Sequence, residues 1–201
     1  MLWGFSQGGH AAAFAGELAP TYAPDVALRG VAVAAPVSDV DHFVARSEAW
    51  PEQFGVLVTT VVGFAHAYPE LDPASVLTSA TMADVDELEQ RCISEVNELF
   101  NRPIAEQLVA APRTLPAFAA RFEENRAGRN GLPVPALVIQ GDKDSIVDPA
   151  DTAALVASWC ARSVPVSYLV RPGQDHGVLS DDVLLPWIRG RVLGDTPPSS
   201  C

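Results

Sequence analysis

Basic residues are scarce in this sequence, and their shortage limits the partners that the chain can have. Its 201 residues include 13 Lys and Arg but 25 Asp and Glu, which gives a formal net charge of −12 and a pI of about 4.6. A chain this acidic is repelled by the phosphates of nucleic acids and by anionic membrane surfaces. We therefore expect no nucleic-acid partner, and the composition leaves the oligomeric state unknown.

Motifs for binding metals and phosphates are lacking as well. The three cysteines do not have the spacing of a zinc site, and there is no H-E-x-x-H pair. The sequence also has no glycine-rich loop of the kind that cradles phosphates. We therefore expect no metal ion and no cofactor.

Long hydrophobic runs are missing. The longest one, residues 56–65, is too short to cross a bilayer and contains threonine and glycine. Stable membrane insertion is therefore not expected, and the residues after Met1 lack the pattern of a signal peptide. The 48% of apolar residues suffice for one sizeable core, while 17 prolines and 14 glycines favour a loop-rich α/β protein over a helical bundle.

The most informative motif that is present is Gly4-Phe5-Ser6-Gln7-Gly8. The pattern G-x-S-x-G is typical of a nucleophile elbow, in which a strand ends, a serine occupies a tight turn and a helix begins. Residues 1–3 can end a buried strand, and residues 9–18 include strong helix formers. The motif predicts that both glycines are needed where backbone segments approach closely. It also predicts that the amide of Gln7 points to where an oxyanion would form.

Two later segments place carboxylates and a histidine directly after predicted strands. Residues 135–141 are an apolar run that predicts a buried parallel strand, and Asp142 and Asp144 follow it. Residues 166–170 predict another strand, which is followed by a glycine-rich loop containing His176. Open α/β sheets carry functional side chains at the carboxyl ends of their strands. The order serine, aspartate, histidine is that of the α/β-hydrolase triad.

These residue types suit nucleophilic catalysis. A serine hydroxyl needs a base to remove its proton, and a histidine can take and return that proton near neutral pH. A carboxylate holds the imidazole in the right tautomer. We therefore predict Ser6 as the nucleophile and His176 as the base, with Asp142 or Asp144 as the acid. Asp175 is expected to be solvated and to orient nothing.

Two other residues have simpler interpretations. His10 lies one turn into the helix after the serine and is interpreted as a helix residue under the sheet edge, with a position near the elbow as the alternative. Asp148, followed by Pro149, is expected to cap a helix.

The predicted elements group into four segments. Residues 1–39 and 132–193 alternate strands and helices, which predicts an α/β core. Residues 40–131 show no such alternation, and within them residues 80–100 have the apolar spacing of an amphipathic helix. We interpret this segment as a helical cap inserted at the carboxyl end of a strand, with a separate helical domain as the alternative. Residues 194–201 are predicted to be a disordered tail.

Several of these segments resemble the secretory lipase family of fungi and actinobacteria. The likeness is closest in the first forty residues, at 4–12, 18–24 and 28–39, and it returns at 140–144 and 175–177. It extends over most of the chain before the tail and is looser in the cap.

The resemblance implies a fold, an activity and a site. The fold is expected to be the C-terminal part of an α/β-hydrolase fold with a mostly helical cap insertion. The activity is expected to be that of a serine-dependent carboxylic ester hydrolase, lipase-like, acting on acylglycerols and other esters. The resemblance favours Asp144 over Asp142, because α/β hydrolases usually present the acid in a G-x-x-D pattern. An acyl chain would lie against apolar cap residues, for which the candidates are Val56, Val61, Phe64 and Phe118.

The resemblance also implies a longer protein. Family members carry an N-terminal half before the serine, with several strands and the second oxyanion amide, so we predict that this chain is a fragment or has a misassigned start. Many members are exported, and the full-length form is therefore expected to be secreted. In an exported protein Cys92 and Cys160 are a candidate disulfide pair, with two buried thiols as an equal alternative, and Cys201 is expected to be unpaired.

Two rival functions remain open at this point. One is a peptidase or thioesterase on the same scaffold. The other is a non-catalytic remnant whose cap serves only in binding.

Overall fold

A parallel sheet of four strands forms the centre of one of the two units into which the chain divides. The computed structural model describes residues 1–201; this unit comprises residues 1–39 and 126–201, and the other comprises residues 40–125. The strands pair in the order in which they occur along the chain: β1 (Leu2–Phe5), β2 (Val31–Ala34), β3 (Ala136–Gly141) and β4 (Val166–Arg171). β3 and β4 lie where the apolar runs predict them.

Eight α-helices accompany the sheet and fill the second unit: α1 (Gln7–Tyr22), α2 (Val40–Ser47), α3 (Phe54–Ala67), α4 (Ser79–Met82), α5 (Ile93–Leu99), α6 (Pro116–Glu124), α7 (Pro149–Ala161) and α8 (Asp181–Leu193). None of them combines the length and the apolar content that a bilayer span requires.

Both faces of the sheet are covered by helices. Residues of α1 and α7 pack with Val31 and Val33 on one face, where Trp159 is fully buried. Residues of α8 pack with Ala32 and Ala34 on the other face. Successive side chains of a strand point to opposite faces, so an entirely apolar strand such as β2 fits a sheet that is buried on both sides.

The insertion leaves the first unit after Asp39 and returns at Arg126. The side chains of these two residues form an ion pair of 3.0 Å, and the N–H of Ala127 donates to Ser38 O at 3.0 Å. The compact second unit therefore ends at Asn125 and not at residue 131 as the sequence suggested.

A buried carboxylate explains this difference in the boundary. Glu17 on α1 accepts hydrogen bonds from the N–H of Gly128 at 2.6 Å, from Asn130 N–H at 3.1 Å and from the indole of Trp159 at 2.9 Å. These donors satisfy a carboxylate that is nearly out of contact with water, and they hold residues 126–131 onto the α/β unit.

The second unit is helical and has its own apolar core, which includes Phe54, Leu57, Phe100 and Phe122. The single helix predicted over residues 80–100 is divided here into α4, a 3-10 helix at Val85–Gln90 and α5. The side chain of Glu95 accepts the N–H of Cys92 at 2.9 Å, which caps a new helix start in the middle of the predicted one.

The C-terminal tail is not disordered, and the prediction for the cysteines was wrong. Cys160 and Cys201 form a disulfide with their Cα atoms 5.4 Å apart, whereas Cys92 is free and exposed. The N–H of Ser200 donates to Val166 O at 2.6 Å, and the N–H of Tyr168 donates to the Ser200 hydroxyl at 2.9 Å. The tail thus covers the outer edge of β4, which gives its backbone the partners that a free terminus lacks.

Candidate functional site

Ser6 stands in the turn between β1 and α1 with a backbone conformation that is rare outside glycine. Its φ and ψ are 55° and −121°. The turn is fixed from both sides, because Ser6 N–H donates to Ala34 O at 2.9 Å and Ser6 O accepts the N–H of His10 at 3.1 Å. An L-residue held in such a conformation stores backbone strain, which occurs most often at functional sites.

The two glycines of the motif have different roles in this turn. A Cβ on Gly4 would lie 1.9 Å from the carbonyl oxygen of Gly8, so no other residue fits at position 4. A Cβ on Gly8 would meet nothing within 4 Å, so the expectation that both glycines are sterically required was wrong for Gly8. The second close approach belongs to Gly9, whose Cβ would lie 3.1 Å from Pro36.

His176 connects Ser6 to Asp144. Its Nε2 lies 2.9 Å from Ser6 Oγ, and its Nδ1 lies 3.1 and 3.0 Å from the two carboxylate oxygens of Asp144. A carboxylate can only accept, so Nδ1 carries the proton and donates to Asp144. Nε2 is then an acceptor, and the Ser6 hydroxyl donates to it. Three residues that are far apart in sequence therefore form one directed chain of hydrogen bonds.

Asp144 remains ionised in this arrangement. Burial by itself would raise its pKa, but hydrogen bonds from His176, from the N–H of Val147 and from Gln140 outweigh burial and hold the pKa below its usual value. Its side chain is fully enclosed, while the side chain of His176 keeps 15% of its surface exposed. The carboxylate is thus shielded from water, and the imidazole beside Ser6 is open to solvent.

Asp142, the alternative acid, does not contact the histidine. Its Oδ1 accepts the N–H of Gly173 at 2.6 Å and ties the loop after β3 to the loop after β4. The structure therefore places Asp144, and not Asp142, against the imidazole.

Asp175 is exposed, as expected, but it holds two loops together. Its Oδ1 accepts from the N–H of Ser145 at 2.8 Å, from the Ser145 hydroxyl at 2.9 Å and from the N–H of His176 at 2.7 Å. These donors lower its pKa, the N–H of Ser145 having the largest effect. Asp175 thus fixes the backbone beside the histidine, which the sequence did not suggest.

Gln7, the predicted oxyanion donor, is the first residue of α1. Amides in the first turn of a helix have no carbonyl partner within the helix and carry the positive end of its dipole. His10, in the same helix, donates from Nδ1 to Val37 O at 2.8 Å, and burial lowers its pKa although that hydrogen bond opposes the shift. His10 thus ties α1 to the segment that follows β2.

The four predicted cap residues do not share one environment. Val61 and Phe118 lie in the core of the helical unit with almost no exposed surface, so they pack that core and do not line a pocket. Phe64 is half-buried and packs edge-on against Phe122 with ring centroids 5.0 Å apart. Val56 is half-buried and does not belong to that core.

Three further residues lie at the site although no sequence motif singles them out. The ring of Phe5 lies 4.8 Å from the ring of His176, centroid to centroid. Gln140 and Thr152 are fully buried, and the Gln140 side chain donates to Asp144 at 2.8 Å. A polar residue in the otherwise apolar run of β3 was the available signal for Gln140, because a buried amide needs hydrogen-bond partners.

Comparison with known proteins places this chain in a family. The model of the secretory lipase family matches residues 1–199. A probable inactive lipase of Mycobacterium tuberculosis is 27% identical over an alignment that covers 96% of this chain and 45% of that protein. Lipase A of Arthroderma benhamiae is 26% identical over 100% of this chain and 45% of its own length.

Solved structures agree on the fold. Candida antarctica lipase A superimposes with a TM-score of 0.85 at 18% identity, and the match covers 99% of this chain and 50% of that one. The rice cell wall degrading esterase LipA of Xanthomonas oryzae gives a TM-score of 0.66 at 17% identity. The fold is that of the α/β hydrolases, and the chain spans about half the length of the relatives it matches. Because the family model matches almost every residue, this chain belongs to the secretory lipase family.

Proposed function

We propose that this chain carries the catalytic residues of a serine-dependent carboxylic ester hydrolase of the lipase type. The observation that supports this most directly is the chain of hydrogen bonds from Ser6 through His176 to Asp144, with the serine in a strained turn. In this proposal Ser6 is the nucleophile, His176 the general base and then the general acid, and Asp144 the residue that orients the imidazole.

The order of proton transfers follows from the tautomer. Ser6 Oγ attacks the ester carbonyl while its proton passes to Nε2 of His176, 2.9 Å away. The imidazolium that forms is stabilised by the ionised Asp144. It then returns the proton to the departing alcohol, which leaves an acyl-serine that water hydrolyses by the same route. The amide of Gln7 is the proposed donor to the oxyanion, because it is the first amide of the helix that follows the nucleophile.

We infer that a further polypeptide segment completes the enzyme. β1 is the edge strand of the sheet, and Trp3 within it is 39% exposed. Beside it, α1 and the segment that follows border an apolar groove of about 490 Å³, whose lining includes Leu2, Phe14, Leu18, Tyr22 and Val26. The relatives are about twice as long as this chain, so the proposed occupant is the remaining half of a family member. That half would also supply the second oxyanion donor.

The proposed substrates are carboxylic esters with an apolar acyl group. Among the predicted cap residues, only Val56 and Phe64 retain exposed surface. One relative is a secreted triacylglycerol lipase of Malassezia furfur, and the disulfide between Cys160 and Cys201 suits an oxidising compartment. We therefore propose that the full-length protein is exported.

One rival function has specific support. One relative is a probable inactive lipase of Mycobacterium tuberculosis. A non-catalytic remnant would keep the fold without turning over an ester. A peptidase or thioesterase would instead keep the same triad and differ in its leaving group.

Covalent labelling with a fluorophosphonate probe separates these functions. We expect the chain to be labelled on Ser6, and we expect Ser6→Ala to abolish labelling while leaving the far-ultraviolet circular dichroism unchanged. Equal labelling of the two proteins, or none of either, would refute a nucleophilic Ser6. A panel of matched nitrophenyl esters, thioesters and anilides then tests the ester assignment, which requires the esters to be the fastest substrates.

A further inference from the structure

A buried hydrogen-bond chain continues from Asp144 beyond its contact with His176. The Nε2 of Gln140 donates to Asp144 Oδ2 at 2.8 Å and to Gly141 O at 3.1 Å. The hydroxyl of Thr152 donates to the Oε1 of Gln140 at 2.7 Å. Both side chains are completely enclosed. The chain of hydrogen bonds therefore has five members and runs from Thr152 in α7 to Ser6 in the elbow.

The chemistry of the partners determines the orientation of the Gln140 amide. Reversing it would direct its oxygen at the Asp144 carboxylate and at Gly141 O, which can only accept. It would also turn the NH2 group toward the Thr152 hydroxyl, which now donates. Two repulsive contacts would replace two hydrogen bonds in an environment where unpaired polar groups are costly.

The two oxygens of Asp144 are held from different directions. Oδ1 accepts the N–H groups of Ile146 at 3.0 Å and Val147 at 2.8 Å, which belong to its own loop. Oδ2 accepts from Gln140, which belongs to β3. A carboxylate that is held at only one oxygen can still rotate about its Cβ–Cγ bond. The Gln140 bond removes that freedom and sets the plane of the carboxylate in front of Nδ1 of His176.

We propose that Gln140 and Thr152 are positioning residues for the hydrolysis, Gln140 by holding the Asp144 carboxylate and Thr152 by locking the Gln140 amide. The proposal rests on the proposed function, because it assigns these residues to the reaction of Ser6. Neither residue touches substrate. Both act through the orientation of His176, on which proton removal from the serine depends.

Three variants and the kinetics of fluorophosphonate labelling test the proposal. Gln140→Met keeps the length of the side chain and removes its hydrogen bonds. Thr152→Val keeps the shape and removes the hydroxyl, and Thr152→Ser restores the hydroxyl without the methyl group. For each variant of the chain, labelling over a range of probe concentrations gives the maximal rate constant, the half-saturating concentration and the final labelled fraction. Loss of fold lowers the final fraction, whereas a misplaced base lowers the rate constant of the molecules that remain folded.

Gln140→Met is expected to lower the maximal rate constant by about tenfold to a hundredfold, the range that a hydrogen bond to a charged group is worth, with an unchanged half-saturating concentration. Thr152→Val should lower it by a smaller factor, and Thr152→Ser should recover the wild-type rate. A wild-type rate for Gln140→Met would overturn the proposal while leaving Ser6 as the nucleophile. If Gln140→Met does not fold, the two threonine variants decide. The proposal is overturned if Thr152→Val and Thr152→Ser are slowed equally, or if neither is slowed. Failure of the wild-type chain to label would refute the proposed function and this inference with it.

Discussion

At the scale of single residues, the loop after β3 shows how two similar carboxylates acquire different roles. Asp144 is buried and accepts from the imidazole, whereas Asp142 accepts the N–H of Gly173. The side chains are chemically identical and lie two positions apart. Their roles differ because β3 ends at Gly141 and the turn that follows directs Asp144 toward His176.

Substituting each aspartate separately should therefore give unequal losses of activity. Asp144→Asn replaces the acceptor with a group that favours the wrong imidazole tautomer, and turnover should fall by about 10⁴-fold. Asp142→Asn weakens one loop contact and should cost far less. The rates of ester hydrolysis by the two variants give the comparison, with the rate of Ser6→Ala as the background. A larger loss for Asp142→Asn would reverse the assignment of the acid.

His10 makes folding sensitive to mild acid. Burial lowers its pKa from 6.5, so below about pH 6.5 the unfolded chain takes up a proton more readily than the folded one. The stability associated with a neutral His10 is complete above that pH and is lost as the pH falls toward the folded-state pKa. We expect the melting temperature of His10→Gln to depend less on pH between about pH 7 and pH 5 than that of the wild type. If the melting temperatures of the two proteins change equally with pH, this expectation is contradicted.

At the scale of elements, the turn from β1 to α1 depends on the first glycine of its motif. Gly4→Ala brings a Cβ to within 1.9 Å of Gly8 O, and the atoms that it meets belong to the backbone, so the elbow must distort. A loss of about 3 kcal/mol in the free energy of unfolding is expected, together with loss of labelling at Ser6.

Gly8→Ala is the matched control for this prediction. The new methyl group meets nothing within 4 Å, and alanine is favoured over glycine in a helix by about 1 kcal/mol. Denaturant unfolding and labelling should therefore show a protein at least as stable as the wild type. A stability loss equal to that of Gly4→Ala would show that steric contact is not what distinguishes the two positions.

The tail is an element that depends on one covalent bond. Cys201→Ser breaks the link to Cys160, which lies 41 positions earlier, and the free energy of unfolding should fall by about 2–4 kcal/mol. Cys92→Ser is the control, because Cys92 is exposed and free. Thermal melts under non-reducing conditions compare the two variants. If Cys201→Ser melts at the same temperature as the wild type, the disulfide of the tail adds nothing to the stability of β4.

At the scale of the whole molecule, the two edges of the sheet differ in whether other residues cover them. The edge at β4 is covered by the tail, while the edge at β1 carries exposed apolar side chains. An uncovered apolar strand invites pairing with other chains.

Residues 1–201 alone are therefore expected to self-associate as their concentration rises and to hydrolyse esters weakly. Extending the chain at its amino terminus with the coding sequence directly upstream of Met1 should give a monodisperse protein. Its turnover should be about 10²–10³-fold higher, which is what one oxyanion donor contributes. Sedimentation velocity and hydrolysis of a short nitrophenyl ester measure both effects, with Ser6→Ala in the extended protein as the control. A monomeric chain with turnover equal to that of the extended protein would show that residues 1–201 are sufficient.

The sequence by itself determined the strands, the order of the serine, aspartate and histidine, and the helical character of the insertion. These features are local, because an apolar run, a glycine turn and a helical repeat each occupy a short stretch of chain. The resemblance to the lipase family, carried by the residues around Ser6, was confirmed by the match over residues 1–199.

Only the tertiary structure decided which carboxylate meets His176, which cysteine pairs with Cys160, and what Glu17 and Gln140 hold in place. Each of these contacts joins segments that meet only because of how the strands and helices pack. A local sequence pattern does not determine which distant segments come into contact. Cys201 lies beside Cys160 because the tail follows β4, and Asp144 lies beside His176 because β3 and β4 are neighbours in the sheet. The parallel pairing of these two strands brings their carboxyl ends to one edge, and that placement completes the proposed site.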